Sequence, residues 1–95
     1  MVVANLIEKS RLVRKFNVIT SEGVFEVVYN GTGIGYEEVI VDNETASRIK
    51  SFWWYVPEFE FSIGNTPAKI EVGVSIALKI RRFDLIISGV NVYSE

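Results

Sequence analysis

Ninety-five residues carry ten basic and twelve acidic side chains, a formal charge of −2 and a pI near 5.2, which leaves no electrostatic footprint for nucleic acid. Hydrophobic residues are 48% of the chain and include two tryptophans, four tyrosines and six phenylalanines, so disorder is excluded and a single domain over residues 1–95 is expected. With neither cysteine nor histidine, the chain lacks disulfides, thiolate chemistry, the commonest zinc ligand and the commonest general base; no enzyme, metal site or cofactor is expected.

Residues 1–11 read as an N-terminal extension. Their apolar run is short, interrupted by Asn5 and not preceded by a basic region, so it is neither a signal peptide nor a membrane span, and a cytoplasmic protein is the expectation. Residues 2–9, VVANLIEK, fit either a short helix or an added strand packing over one end of the domain.

The next clear alternation is GVFEVVY, with Phe25, Val27 and Tyr29 on one parity and Glu26 on the other, a strand with a core side. It runs into NGTGIG, whose alternating glycines raise the question of a phosphate loop. A phosphate loop must lead into a helix whose N-terminus faces the anion. Here the glycines are followed by YEEVIVD, rich in β-branched residues and reaching a new turn signal within seven residues, so the stretch is read as a hairpin whose glycines supply positive φ. Asp42, Asn43 and Glu44 form that turn; a single short acidic turn lacks the oxygens calcium requires.

A basic strand with Arg48 and Lys50 then enters SFWWYVPEF. On a strand Phe52 and Trp54 point one way and Trp53 and Tyr55 the other, so one buried face cannot hide all four rings. Either the N-terminal segment or a bend at Pro57 covers the second pair, or that pair is a binding patch. Farther on, EFEFSI places Phe59, Phe61 and Ile63 opposite Glu58, Glu60 and Ser62. The two glutamates have the spacing of a glycosidase pair but belong to a half-solvated strand, not to two sides of a cleft.

PAKIEVGVSIALKI keeps Ala68, Ile70, Val72, Val74, Ile76, Leu78 and Ile80 on one parity, a strand or two strands bent near Gly73. The parity flips before Phe83, Leu85 and Ile87, so Arg81 and Arg82 are expected to mark a turn or a bulge. Turn residues at 21–23, 64–67 and 88–89 complete a meander of about seven or eight strands, an antiparallel β-sandwich. Phe25, Val27, Tyr29, Phe59, Phe61, Ile70, Val72, Val74, Phe83, Leu85 and Ile87 are the expected core.

Taken in order, the SEGV strand end, the NGTG strand end, the VDNE turn, the basic strand entering RIKSFWW, the FEFSIG strand and the final LIISGVN hairpin resemble the Fas apoptotic inhibitory molecule family over about residues 16–93. The region 77–82 matches poorly. The resemblance implies a small antiparallel β-sandwich without catalytic machinery, acting through protein contacts.

The functional expectation is therefore a protein-interaction module, with Trp53, Trp54, Tyr55, Arg48 and Lys50 as the candidate surface. The alternative is a small-ligand or carbohydrate module using the Phe52–Tyr55 aromatic cluster. The expected partner is a protein, not nucleic acid or membrane, and the chain itself is expected to be a monomer or a weak homo-oligomer formed by sheet-edge pairing.

Overall fold

The computed structural model describes residues 2–10, 12–31, 35–51, 58–74 and 80–95. Among them, alternation resolves into nine strands: β1 (Val3–Lys9), β2 (Val13–Thr20), β3 (Gly23–Asn30), β4 (Gly35–Val41), β5 (Glu44–Ser51), β6 (Phe59–Ile63), β7 (Thr66–Val74), β8 (Ile80–Ile87) and β9 (Val90–Ser94). Within each sheet every strand pairs antiparallel with its sequence neighbours, giving one sheet in the order β1-β2-β3-β4-β5 and a second in the order β6-β7-β8-β9. The fold is the expected antiparallel β-sandwich with more strands than the seven or eight anticipated. The excess includes residues 3–9, which take the strand alternative and extend the edge of the first sheet instead of forming a helix or covering an end.

Two-residue turns hold one end of the sandwich. Asp42 and Asn43 both adopt positive φ (49° and 67°) between the paired Val41 and Glu44, the mirror-image turn whose twist suits a hairpin. Asp42 also accepts the Glu26 backbone N–H at 2.8 Å, so these acidic residues are turn formers, as read. At the same end Glu22, between β2 and β3, reaches across to the β6–β7 turn, accepting the Asn65 backbone N–H at 2.9 Å and bonds from Asn65 Nδ2 and Thr66 Oγ1, both at 3.3 Å. Gly64 of that turn has φ +60°, and a Cβ there would come within 2.9 Å of the Glu22 carboxylate, so a side chain at this position would be strained and would push the clamp aside.

The other end receives the end of β1, the start of β2, the β3–β4 ends and the end of β9. β3 and β4 are antiparallel neighbours, so the glycine stretch joins a hairpin. Gly31 is not one of the positive-φ glycines, contrary to the expectation; a Cβ there would meet the Leu12 carbonyl at 2.8 Å and the Tyr29 ring at 2.9 Å. Its use is close approach, not backbone handedness.

The core is Phe16, Val18, Val27, Tyr29, Val39, Phe59, Phe61, Ile63, Ala68, Ile70, Val72, Phe83, Leu85 and Ile87. Phe25 departs from the expectation. It is half-buried, packing against the core from beside the tight turns. The Val74 side chain, with Ile76 and Leu78, lies outside the described residues. Arg81 resolves the parity flip: Gly73 pairs with Arg82 and Val74 with Ile80, leaving Arg81 as the extra residue of a β-bulge inside β8, not a turn before it.

Replacing Phe83, fully buried and touching three rings, by alanine is expected to cost about 3–5 kcal/mol in urea unfolding. The half-buried Phe25→Ala should cost clearly less. Equal losses would contradict this packing.

Candidate functional site

The expected surface divides sharply. Arg48 is an exposed residue of β5, its guanidinium 3.4 Å from Glu38 on the neighbouring β4. Lys50 lies two positions on in the same strand, opposite Tyr36. Trp53, Trp54 and Tyr55, and with them the question of what covers the aromatic cluster, lie outside the described residues. Glu58 and Glu60 are both exposed, as read, and Glu58 lies 3.5 Å from Lys69 along the sheet surface, not across a cleft.

The outer face of the second sheet carries an ordered polar network. Lys69 lies between Glu58 and Glu71, 3.1 Å from the latter, and their carboxylates, Glu71 first, hold its ammonium charged to higher pH than usual. Glu71 faces Asp84 directly across β7 and β8, an arrangement of like charges that Arg82 relieves. Asp84 accepts from Ser94 Oγ and Arg82 Nε, each at 2.8 Å, and from Asn91 Nδ2 at 3.3 Å. Those donors, Ser94 first, hold its carboxyl below the ordinary range although it is buried. Toward the tight turns this face sinks into a shallow depression of about 780 Å³ lined by Glu60, Ser62, Pro67, Lys69 and Ile86.

Charged groups also enter the interior, and the sequence reading missed them. Arg14 is only 3% exposed and shares the inward parity of Phe16 and Val18. It donates Nε and Nη2 to Glu95 at 2.5 and 2.9 Å, and Nη1 to the Ser10 and Val13 carbonyls. Tyr93 Oη (2.8 Å) and Lys9 Nζ (3.2 Å) complete the shell of Glu95. The guanidinium, with lesser help from the phenol and the ammonium, overcomes desolvation and brings the Glu95 carboxyl down to about 2. Burial first, then the Glu95 bond, pushes the Tyr93 phenol up to about 12.

Deeper still, Tyr29 and Glu37 are fully buried. Glu37 acts on the phenol as a charge and an acceptor, although no hydrogen bond of ordinary geometry closes at Tyr29 Oη; with burial as the largest cause, the phenol stays protonated far above its usual range. The legible signal was parity: Glu37 precedes Val39 and Val41 at spacing two, as Arg14 precedes Phe16 and Val18.

Among the described residues no group of three or more potential metal ligands gathers, and no helix is long and apolar enough to cross a membrane. Comparison with family models, with curated proteins and with solved structures gave no match.

Because the folded-state pKa of Glu95 lies below its ordinary 4.5, its bond to Arg14 contributes fully above about pH 4.5 and is lost as pH falls toward 2. The stability gap between the parent and Glu95→Gln in urea melts should therefore be widest above pH 4.5 and close toward pH 2. A gap independent of pH would contradict the clamp.

Proposed function

We propose that the protein is a non-catalytic β-sandwich interaction module working through protein–protein contacts, the role implied by its resemblance to the Fas apoptotic inhibitory molecule family. One observation carries this reading most: the interior is filled by Phe16, Tyr29, Phe59 and Phe83, while the surface acids and bases of the second sheet tie to one another along and across strands. Among the described residues the filled interior leaves a small molecule no enclosed site of the kind ligands favour, whereas an ordered, gently hollowed polar face is in keeping with non-obligate protein interfaces. The residues proposed to make the contact are Arg48, Lys50, Trp53, Trp54 and Tyr55, and the proposed location is the cytoplasm.

Cross-linking in a lysate followed by mass spectrometry should return one dominant partner. Arg48→Glu, a change at an exposed side chain, should reduce its recovery about tenfold while leaving the melting temperature within a few degrees. Undiminished recovery with both Arg48→Glu and Trp54→Ala would remove this surface. Saturable tryptophan quenching by an oligosaccharide would replace the reading with the carbohydrate one.

A further inference from the structure

A sandwich built from an open meander has four sheet edges, and each must be covered or guarded against pairing with another chain. β5 and β6 lie near each other, so two of these edges are adjacent. β9 is only five residues long and bulged, its register with β8 shifting between Leu85 and Ile86. β1 differs. Its second half is guarded by a register shift between Leu6 and Glu8 and by the charged Glu8 and Lys9, Lys9 being tied to Glu95. Its first half, Val3–Leu6, has no charge, no proline and no bulge, and among the described residues no backbone hydrogen bond joins β1 to β9.

The surroundings of that half are apolar on the outside. Of the five exposed large aliphatic residues among those described, Val3 (39%), Ile7 (49%), Ile19 (41%) and Val24 (65%) lie on the outer face of β1, β2 and β3. Val3 pairs with Ile19 and Ile19 with Val24, so three of them make one row leading to the free edge. Scattered exposed aliphatics are ordinary; a continuous row ending on an unguarded edge is not.

The residues of the edge are also self-complementary. If a second β1 is laid antiparallel with Asn5 opposite Asn5, Ala4 falls opposite Leu6 on the inner face, and on the outer face Val3 falls opposite Ile7, the extra residue at which the β1 bulge begins, twice each by symmetry. Within Val3–Ile7 each apolar residue then meets an apolar one, and Asn5 meets its own copy, whose amide can both donate and accept. In this register Ile7 extends the aliphatic row of the other copy. No other register that keeps inner against inner and outer against outer does this: moving it by two sets Val3 against Asn5 or Lys9.

We propose that a second copy of this chain occupies the β1 edge, pairing β1 with β1 about a twofold axis through Asn5 so that the two five-stranded sheets become one. The contact covers the unbulged Val3–Leu6 of each copy and ends at Ile7, where the bulge begins, short of the roughly 1,200–2,000 Å² of standard stable interfaces, so the dimer is weak and concentration-dependent. It fails separately from the partner reading, which uses β5 and the residues after it.

The absence of cysteine from the chain supplies a clean test. In the register proposed, Asn5→Cys places two sulfurs within disulfide reach across the axis, whereas Asn17→Cys, its neighbour on β2, is one strand further from the axis on each side. Under oxidised glutathione, Asn5→Cys should give covalent dimer at least about tenfold faster than Asn17→Cys, with unchanged circular dichroism. Sedimentation of the parent chain from about 10 µM to 1 mM should show rising mass, abolished by Val3→Lys and retained by Val24→Lys. Equal cross-linking of the two cysteine variants, a parent that stays monomeric at 1 mM, or a Val24→Lys variant as monomeric as Val3→Lys would each overturn the proposal.

Discussion

The ring of Phe83 stacks on Phe16 at 5.7 Å and meets Tyr29 edge-on at 5.5 Å, so one side chain of the four-stranded sheet sets its distance from two strands of the five-stranded one. Tyr29 continues to Phe59, and Phe16 to Tyr93, which gives a chain of rings from β6 across to β9. Everything else rests on this layer. Hairpins between sequence neighbours form each sheet locally, but nothing in a meander specifies how one sheet sits on the other except the side chains between them. Edge-to-face ring contacts are directional, so they select one relative placement where aliphatic residues alone would permit several.

Two polar ties lock that placement at opposite ends. Glu22 holds the β6–β7 turn from the first sheet, and Arg14 holds Glu95, just past β9. The two differ in physical character. Glu22 acts in water, accepting bonds from a turn whose geometry is already fixed. Arg14 is removed from solvent, and a buried guanidinium without a fitted acceptor would carry a large desolvation cost. Its two bonds to Glu95 and its bonds to the Ser10 and Val13 carbonyls are therefore a condition of the fold at that end, because they saturate a group that cannot return to water.

Period-two alternation made the sandwich legible, because each strand that buries one face records it in residues such as Phe59, Phe61 and Ile63. It failed where polar side chains occupy inward positions. Arg14 and Glu37 have the right parity but the wrong chemistry for a core list drawn from hydrophobicity, and only the partners brought by the fold make them tolerable inside. Residues 3–9 were ambiguous for another reason: an edge strand buries little, so Val3, Asn5 and Ile7 face outward while Ala4 and Leu6 are only half-buried, and the pattern is too shallow to exclude a helix. Gly31 was assigned the wrong task, since nothing in a sequence tells a glycine needed for its φ from one needed for the space beside a tyrosine. Of the candidate surface, Arg48 lies exposed on β5, as its charge on a strand suggested; the Arg14–Glu95 pair, 81 positions apart, was beyond any local signal.

The two seams of the sandwich show why the free edge lies where it does. At one, β5 packs beside β6. At the other, β1 approaches β9, and Lys9 and Arg14 converge on the Glu95 carboxylate just past it. A strand fastened at one end and open along the rest is under weaker constraint than one paired on both sides, and such edges are where native sheets either place charges or accept another strand. The chain places its charges at Glu8 and Lys9, where the seam is already closed, and leaves Val3, Ala4, Asn5 and Leu6 neutral where it is open. A sequence selected only to keep β1 from pairing would place them the other way round.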